Sequence, residues 1–310
     1  MFSVIFPGQG SQLVGMGKDF YDKYALVQDL YQEADDTLGF SLSNLILNGP
    51  KEDLDLTENT QPAIFLISYS IFKLIKEEFK INLNKASFFA GHSLGEYSAL
   101  ASAGALSFAE TLKILKIRGK AMQNSVPIGV GGMVAVLGSE IKIIESLINE
   151  NKTKYECYIA NDNSEGQIVL SGKIEDLEKM MIDLKSANIK NIKLPVSAPF
   201  HCKLMNKAAL VMIEEIAQLE FKEPTNILIS NVTGKEIKNS IELKDLLVKQ
   251  IESRVRWRES ILLMIDKGIN QFIEIGPGKV LSGLIKRIDK NVKVSAINTE
   301  EDIRSININE

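Results

Sequence analysis

The five residues Gly91-His92-Ser93-Leu94-Gly95 restrict what this chain can fold into more than any other stretch. The apolar run Phe88-Phe89-Ala90 precedes them, and Glu96-Tyr97-Ser98-Ala99-Leu100-Ala101, a helical pattern, follows. A G-x-S-x-G pattern has structural meaning where a strand turns sharply into a helix, and this is that context. The glycines serve a turn with no room for Cβ atoms. The serine is lifted out of the turn, toward the amide groups at the helix N-terminus. The pattern alone is weak; its flanks give it weight.

The rest of the first segment agrees. Val4-Ile5-Phe6 reads as a strand ending in the turn Pro7-Gly8-Gln9-Gly10. Residues 27–38 read as an amphipathic helix, and residues 61–79, apolar on nearly all faces, as a buried one. Ser107 and Glu110 form an S-x-x-E capping box that starts a helix running to about Asn124. Strands alternating with helices predict a parallel sheet covered on both faces.

Pro127-Ile128-Gly129-Val130-Gly131-Gly132 breaks this pattern. Beyond it come a strand at 133–137, a helix at 141–149, a strand at 155–160, a turn at 161–166, a strand at 167–171, a helix at 174–187 and a strand at 192–195. That β-α-β-β-α-β order is the ferredoxin-like split arrangement. From about Ser197 the first style returns, with helices at 204–219, 243–251, 258–267 and 280–288 and strands at 227–230, 272–275 and 292–297. The expected fold is therefore α/β. A large discontinuous domain, 1–126 and 198–310, encloses a small ferredoxin-like one, 127–197. A cleft between two domains is a usual place for a substrate.

Composition narrows the function. A net charge of −4 gives no footprint for nucleic acid. The longest apolar stretch, 63–74, carries Ser68, Tyr69, Ser70 and Lys73 and falls short of the ~20 residues of a membrane span. No basic n-region precedes Ser3-Val4-Ile5-Phe6, so no signal peptide is expected. Cys157 and Cys202 stand far apart, in no metal spacing, as free thiols do in a reducing cytoplasm. The tail from about Glu300 is polar and is expected to fray.

A serine nucleophile needs a base, and the chain has two histidines. His92 precedes Ser93 in the strand, so its side chain points to the opposite side, with burial under the turn as its plain reading. His201 is the candidate by elimination. It sits in Ser197-Ala198-Pro199-Phe200-His201-Cys202, where the chain re-enters the large domain. α/β-Hydrolases supply an acid between serine and histidine in the sequence. No acid stands out here, and a backbone carbonyl can hold the imidazole tautomer instead.

Six segments occur in this order: Phe6-Pro7-Gly8-Gln9-Gly10-Ser11-Gln12, Asn59-Thr60-Gln61-Pro62-Ala63, Gly91-His92-Ser93-Leu94-Gly95-Glu96, Arg118-Gly119-Lys120, Ala198-Pro199-Phe200-His201 and Glu274-Ile275-Gly276-Pro277-Gly278. Together they resemble the malonyl-CoA:acyl carrier protein transacylases, free-standing bacterial enzymes of type II fatty acid synthesis. The resemblance covers essentially the whole chain. It implies a hydrolase-like α/β core with a ferredoxin-like insert, in agreement with the pattern above.

The resemblance also implies roles. Ser93 takes the malonyl group as an ester, and His201 activates first Ser93 and then the phosphopantetheine thiol of the carrier protein. Gln9 and Leu94 supply the backbone N–H groups of an oxyanion hole, and the main-chain carbonyl of Gln250 orients the histidine. Arg118, by itself a solvated arginine on a helix face, becomes the planar fork that holds the free malonyl carboxylate. Gln61 and Asn161 match family positions near the pocket; their plain readings are helix capping and turn chemistry. The partners implied are malonyl-CoA and acyl carrier protein. No cofactor is implied, since coenzyme A is part of the substrate, and the family expectation is a cytoplasmic monomer. Arg254, Arg256, Arg258, Lys279, Lys286 and Arg287 form a candidate basic face for an acidic carrier protein. Two alternatives stand beside this: a serine thioesterase, which shares the acyl-enzyme, and an inactive module that binds carrier protein.

Overall fold

The structure, a computed structural model, describes residues 1–308 except Ser197 and Lys238. Among the described residues nine strands carry the architecture: β1 (Phe2–Phe6), β2 (Phe88–Gly91), β3 (Gly131–Leu137), β4 (Cys157–Ser164), β5 (Gln167–Lys173), β6 (Lys190–Lys193), β7 (Ile227–Leu228), β8 (Gln271–Ile275) and β9 (Lys293–Ile297). Five of them form one sheet in the order β7-β2-β1-β8-β9, with every pair parallel. The other four form an antiparallel sheet in the order β4-β5-β3-β6.

The central strands of the parallel sheet, Phe2–Phe6 and Phe88–Gly91, are buried at every position. Helices cover both faces of such a sheet, so its strands read as continuous apolar runs rather than alternating ones. The helix Thr57–Glu77 is the main filler, and it is buried on nearly every face, as its composition predicts. Phe72 from this helix meets Phe6 of β1 at 6.2 Å and Phe89 of β2 at 5.8 Å between ring centroids. The capping box forms as expected, with Ser107 accepting from the Glu110 amide and Glu110 reaching back to Ser107.

The antiparallel sheet arises from β-α-β-β-α-β connectivity, with the helices Ile141–Glu150 and Ile174–Ser186 in the crossovers. The expected fold class is therefore borne out. Ser197, the last residue of the expected small domain, lies outside the described residues, as do the last two residues of the chain.

Four local expectations are corrected. Asn161-Asp162-Asn163 is not a turn but the end of β4, which runs to Ser164. Turn propensity gives way there because tertiary partners take the polar groups: Arg258 makes three hydrogen bonds to the buried Asp162 carboxylate, and the Asp162 amide donates to the Val255 carbonyl. Register shifts along β4 at Ile159/Asn161 and Asp162/Ser164 accommodate the change. The last strand of that sheet ends at Lys193 and starts two residues earlier than expected, ahead of Pro195. The buried helix begins at Thr57, so Gln61 lies in its second turn and does not cap it. The tail does not fray at Glu300. A capping box of Thr299 and Asp302 starts the helix Glu300–Arg304, which buries Ile303. Among the described residues, no helix is long and apolar enough to cross a membrane.

Candidate active site

The loops after β1 and β2 leave the parallel sheet at its carboxyl edge, where open α/β sheets hold their ligands. They approach each other backbone to backbone at Gly95. A Cβ on Gly91 would lie 1.9 Å from the Gly95 carbonyl, and one on Gly95 would lie 2.3 Å from the Phe6 oxygen. Glycine at both positions therefore answers close backbone approach, as the motif predicts.

Ser93 sits at the tip of this turn with φ 55°, a left-handed conformation that a serine adopts only under constraint. Asn231 supplies the constraint. Its Oδ1 accepts from the Ser93 amide at 2.7 Å, and its Nδ2 donates to the Gly91 carbonyl, also at 2.7 Å. One side chain thus braces the turn on both sides of the serine.

Ser93 Oγ lies 2.9 Å from Nε2 of His201, across 108 residues of sequence. The His201 Nδ1 donates to the main-chain carbonyl of Gln250 at 2.9 Å, which leaves Nε2 as the acceptor facing the serine. His201 also has a left-handed φ, 59°, and is buried. Burial and the nearby Arg118 charge push its pKa down to about 3, so the resting ring is neutral, with the Nε2 lone pair facing the serine. His92, the other histidine, turns away from Ser93: its Nε2 meets Asn163 Oδ1 at 2.8 Å, and its ring packs on Trp257.

Arg118 is not solvated. It projects from the helix Phe108–Gln123 into the interior and is 1% exposed. Its hydrogen-bond partners are neutral. Nη1 donates to Gln61 Oε1 at 2.6 Å, and Nη2 donates to Gln250 Oε1 at 2.7 Å and to Ser93 Oγ at 3.3 Å. Nε has no partner. A buried guanidinium held by two amides, beside a nucleophile, is a site for an anion that comes and goes.

Gln9, Gln61, Ser93, Leu94, Arg118, Asn161 and His201 all line one cavity of about 120 Å³. Gln9, His92 and Asn161 also line a wider cleft of about 630 Å³, which Lys51 and Gln167 line as well. Neither the Gln9 nor the Leu94 main-chain N–H meets an acceptor among the described residues, and Leu94 directly precedes the helix Gly95–Ser102, whose dipole favours negative charge there. Asn161 Oδ1 is buried without a partner among the described residues.

Some of the site was not legible in the sequence. Asn231 carries no local signal. Glu96 had one: it is the only charge in the helix Gly95–Ser102, which is buried on all sides. It accepts from Gln250 Nε2 and from the Asn231 amide. Burial pushes its pKa up to about 7. Three arginines of the candidate basic face are engaged in ion pairs. Arg254 pairs with Glu145 and Glu259, Arg256 with Glu259 and Arg258 with Asp162.

Residues 3–302 match the acyl transferase domain family. A malonyl CoA-acyl carrier protein transacylase of Bacillus subtilis is 40% identical over 96% of this chain and 94% of its own length. The chain belongs to the malonyl-CoA:acyl carrier protein transacylase family. Solved members of this transacylase family superpose closely. The acyl-carrier-protein-S-malonyltransferase of Bartonella henselae is 40% identical and reaches a TM-score of 0.95, with 98% of this chain and 97% of that one covered. A malonyl-transacylase solved in complex with its type II PKS acyl-carrier protein is 36% identical, with a TM-score of 0.94 and 98% of both chains covered.

Proposed function

We propose that this chain moves a malonyl group from malonyl-CoA to the phosphopantetheine thiol of an acyl carrier protein, through an ester on Ser93, for fatty acid biosynthesis. The observation that carries the reading is the pair of groups around one oxygen. A neutral imidazole lies 2.9 Å from Ser93 Oγ and a buried guanidinium 3.3 Å from it.

In the first half-reaction His201 Nε2 accepts the Ser93 proton as Oγ bonds to the thioester carbonyl carbon. The carbonyl oxygen becomes negative and meets the Gln9 and Leu94 amides. Such preorganised donors are typically worth ~10²–10³ each in rate. The C–S bond then breaks, and the imidazolium returns the proton to the departing coenzyme A sulfur. In the second half His201 takes the proton of the carrier-protein thiol, whose sulfur attacks the ester carbonyl; the C–O bond breaks and the imidazolium returns the proton to Ser93 Oγ. The Gln250 carbonyl holds the imidazole tautomer throughout, in the place of a triad acid. Arg118, steadied by Gln61 and Gln250, pairs with the free malonyl carboxylate, while Asn161 Oδ1 accepts an N–H from the incoming arm. No cofactor enters these steps. Residues 127–197 act as a unit that walls one side of the cleft, and the chain works as a cytoplasmic monomer.

Arg118 argues against a thioesterase for long apolar chains, since an uncharged acyl group would leave it buried and unpaired. The Ser93–His201 contact argues against an inactive binding module. One experiment separates the three. The protein is mixed with labelled malonyl-CoA, the Ser93 adduct is measured, and either buffer or carrier protein is added. The expected result is a stable adduct discharged only by carrier protein. Rapid loss to water supports the thioesterase, and no adduct supports the module.

A further inference from the structure

Glu96 has no part in the reaction as written, yet it is 2% exposed and touches the residue that links the other two functional side chains. Its Oε2 accepts from Gln250 Nε2 at 2.5 Å and from the main-chain N–H of Asn231 at 3.3 Å, while its Oε1 has no partner among the described residues. The Gln250 amide has one acceptor end and one donor end. Arg118 can only donate, so the oxygen faces it, at 2.7 Å. Glu96 and the Ser93 carbonyl accept from the NH₂, the second at 3.1 Å. Turned over, the amide would set its NH₂ against the guanidinium. In its ionised form Glu96 is the stronger of the two holds, because a charge-assisted hydrogen bond is roughly twice as strong as a neutral one.

We propose that Glu96 is a positioning residue for acyl selection: its carboxylate locks the Gln250 amide in the orientation that sets the Arg118 guanidinium for the free carboxylate of the acyl group. The inference rests on the reading of Arg118 given above. His201 is held by the main-chain oxygen of Gln250, which does not depend on the side-chain amide. Loss of Glu96 therefore separates acyl selection from nucleophile reactivity, and a general weakening of the fold would not.

The test compares Glu96→Leu and Glu96→Gln with the wild-type chain. Two quantities are read: the ratio of kcat/KM for acylation of Ser93 by malonyl-CoA and acetyl-CoA, and the rate of Ser93 labelling by a small neutral organofluorophosphonate. Glu96→Leu lowers the malonyl-to-acetyl ratio by about 10-fold to 10²-fold, the scale of a sub-ångström to one-ångström misplacement, chiefly through KM for malonyl-CoA. Its labelling rate stays close to wild type. Glu96→Gln keeps an acceptor oxygen and restores the ratio. An unchanged ratio in Glu96→Leu overturns the proposal. So does a labelling rate that falls in step with malonyl transfer, or a glutamine variant as impaired as the leucine one. If Glu96→Leu does not fold, Gln250→Met cuts the same link from the other end, and a wild-type ratio there overturns the proposal equally. A wild-type chain with no preference for malonyl overturns the functional reading, and this inference with it.

Discussion

Arg118→Ala is the sharpest test of what the buried guanidinium is for. The residue is 1% exposed, and Gln61 and Gln250 fix its two terminal nitrogens from opposite sides. A carboxylate meeting such a fork gains two charge-assisted hydrogen bonds. At ~1.5–3 kcal/mol each, alanine removes about 3–6 kcal/mol of acyl-group binding. With ~1.4 kcal/mol per factor of ten, kcat/KM for malonyl-CoA falls by roughly 10² to 10⁴. Acetyl-CoA has no such carboxylate and loses none of this, so the malonyl-to-acetyl ratio collapses by the same factor. Arg118→Lys keeps the charge but not the fork, and recovers part of the ratio. The variant also leaves the Gln61 and Gln250 oxygens without their donor, at about 1–3 kcal/mol each, so folding is checked alongside by thermal denaturation. The assay offers equal concentrations of malonyl-CoA and acetyl-CoA, quenches before transfer and weighs the intact protein for the adduct on Ser93. A folded Arg118→Ala chain that keeps the wild-type ratio refutes the reasoning.

Further outcomes are expected at three other residues. The His201 ring, pushed down to about 3, shows no protonation by NMR between pH 8 and 5, and a midpoint near the ordinary value refutes its burial. Because an unfolded histidine binds a proton near pH 6.5 and this one does not, His201 makes the urea midpoint fall as pH drops below that value. Gly91→Ala forces a Cβ to within 1.9 Å of the Gly95 carbonyl, so it costs on the order of 3 kcal/mol or more in urea denaturation, together with the loss of Ser93 acylation. Glu274→Ala strips the acceptor that serves the Leu281 and Ser282 amides and the Ser282 hydroxyl. Denaturant titration should register a loss of about 2–4 kcal/mol, with Ser93 labelling retained.

Glu274 also illustrates where sequence reasoning stops. The Glu274-Ile275-Gly276-Pro277-Gly278 segment reads as a strand-to-helix turn, which it is. That the glutamate caps the following helix from inside the sheet depends on how strand and helix meet. Asn161-Asp162-Asn163 went further astray. Its composition describes a turn, but Arg258, 96 residues beyond Asp162, holds that carboxylate inside the fold. Local preference loses wherever a distant partner satisfies a buried polar group.

The sequence by itself determined the elbow, the alternation that builds the parallel sheet and the split β-α-β-β-α-β order between its halves. Each of these follows from local physics: Cβ exclusion in a tight turn, side-chain period, and cap chemistry. It also left His201 as the one histidine free to serve Ser93, simply because there are two. Tertiary structure decided how Ser93, His201 and Arg118 are held against one another. Asn231, Glu96 and the side chain of Gln250 are polar residues of kinds that sit on any surface. Hydrogen bonds spanning up to 157 residues of chain turn them into the brace, the lock and the hub of the site. Spacing along a sequence carries no record of such bonds, because directional contacts form only after the apolar core has brought the segments together.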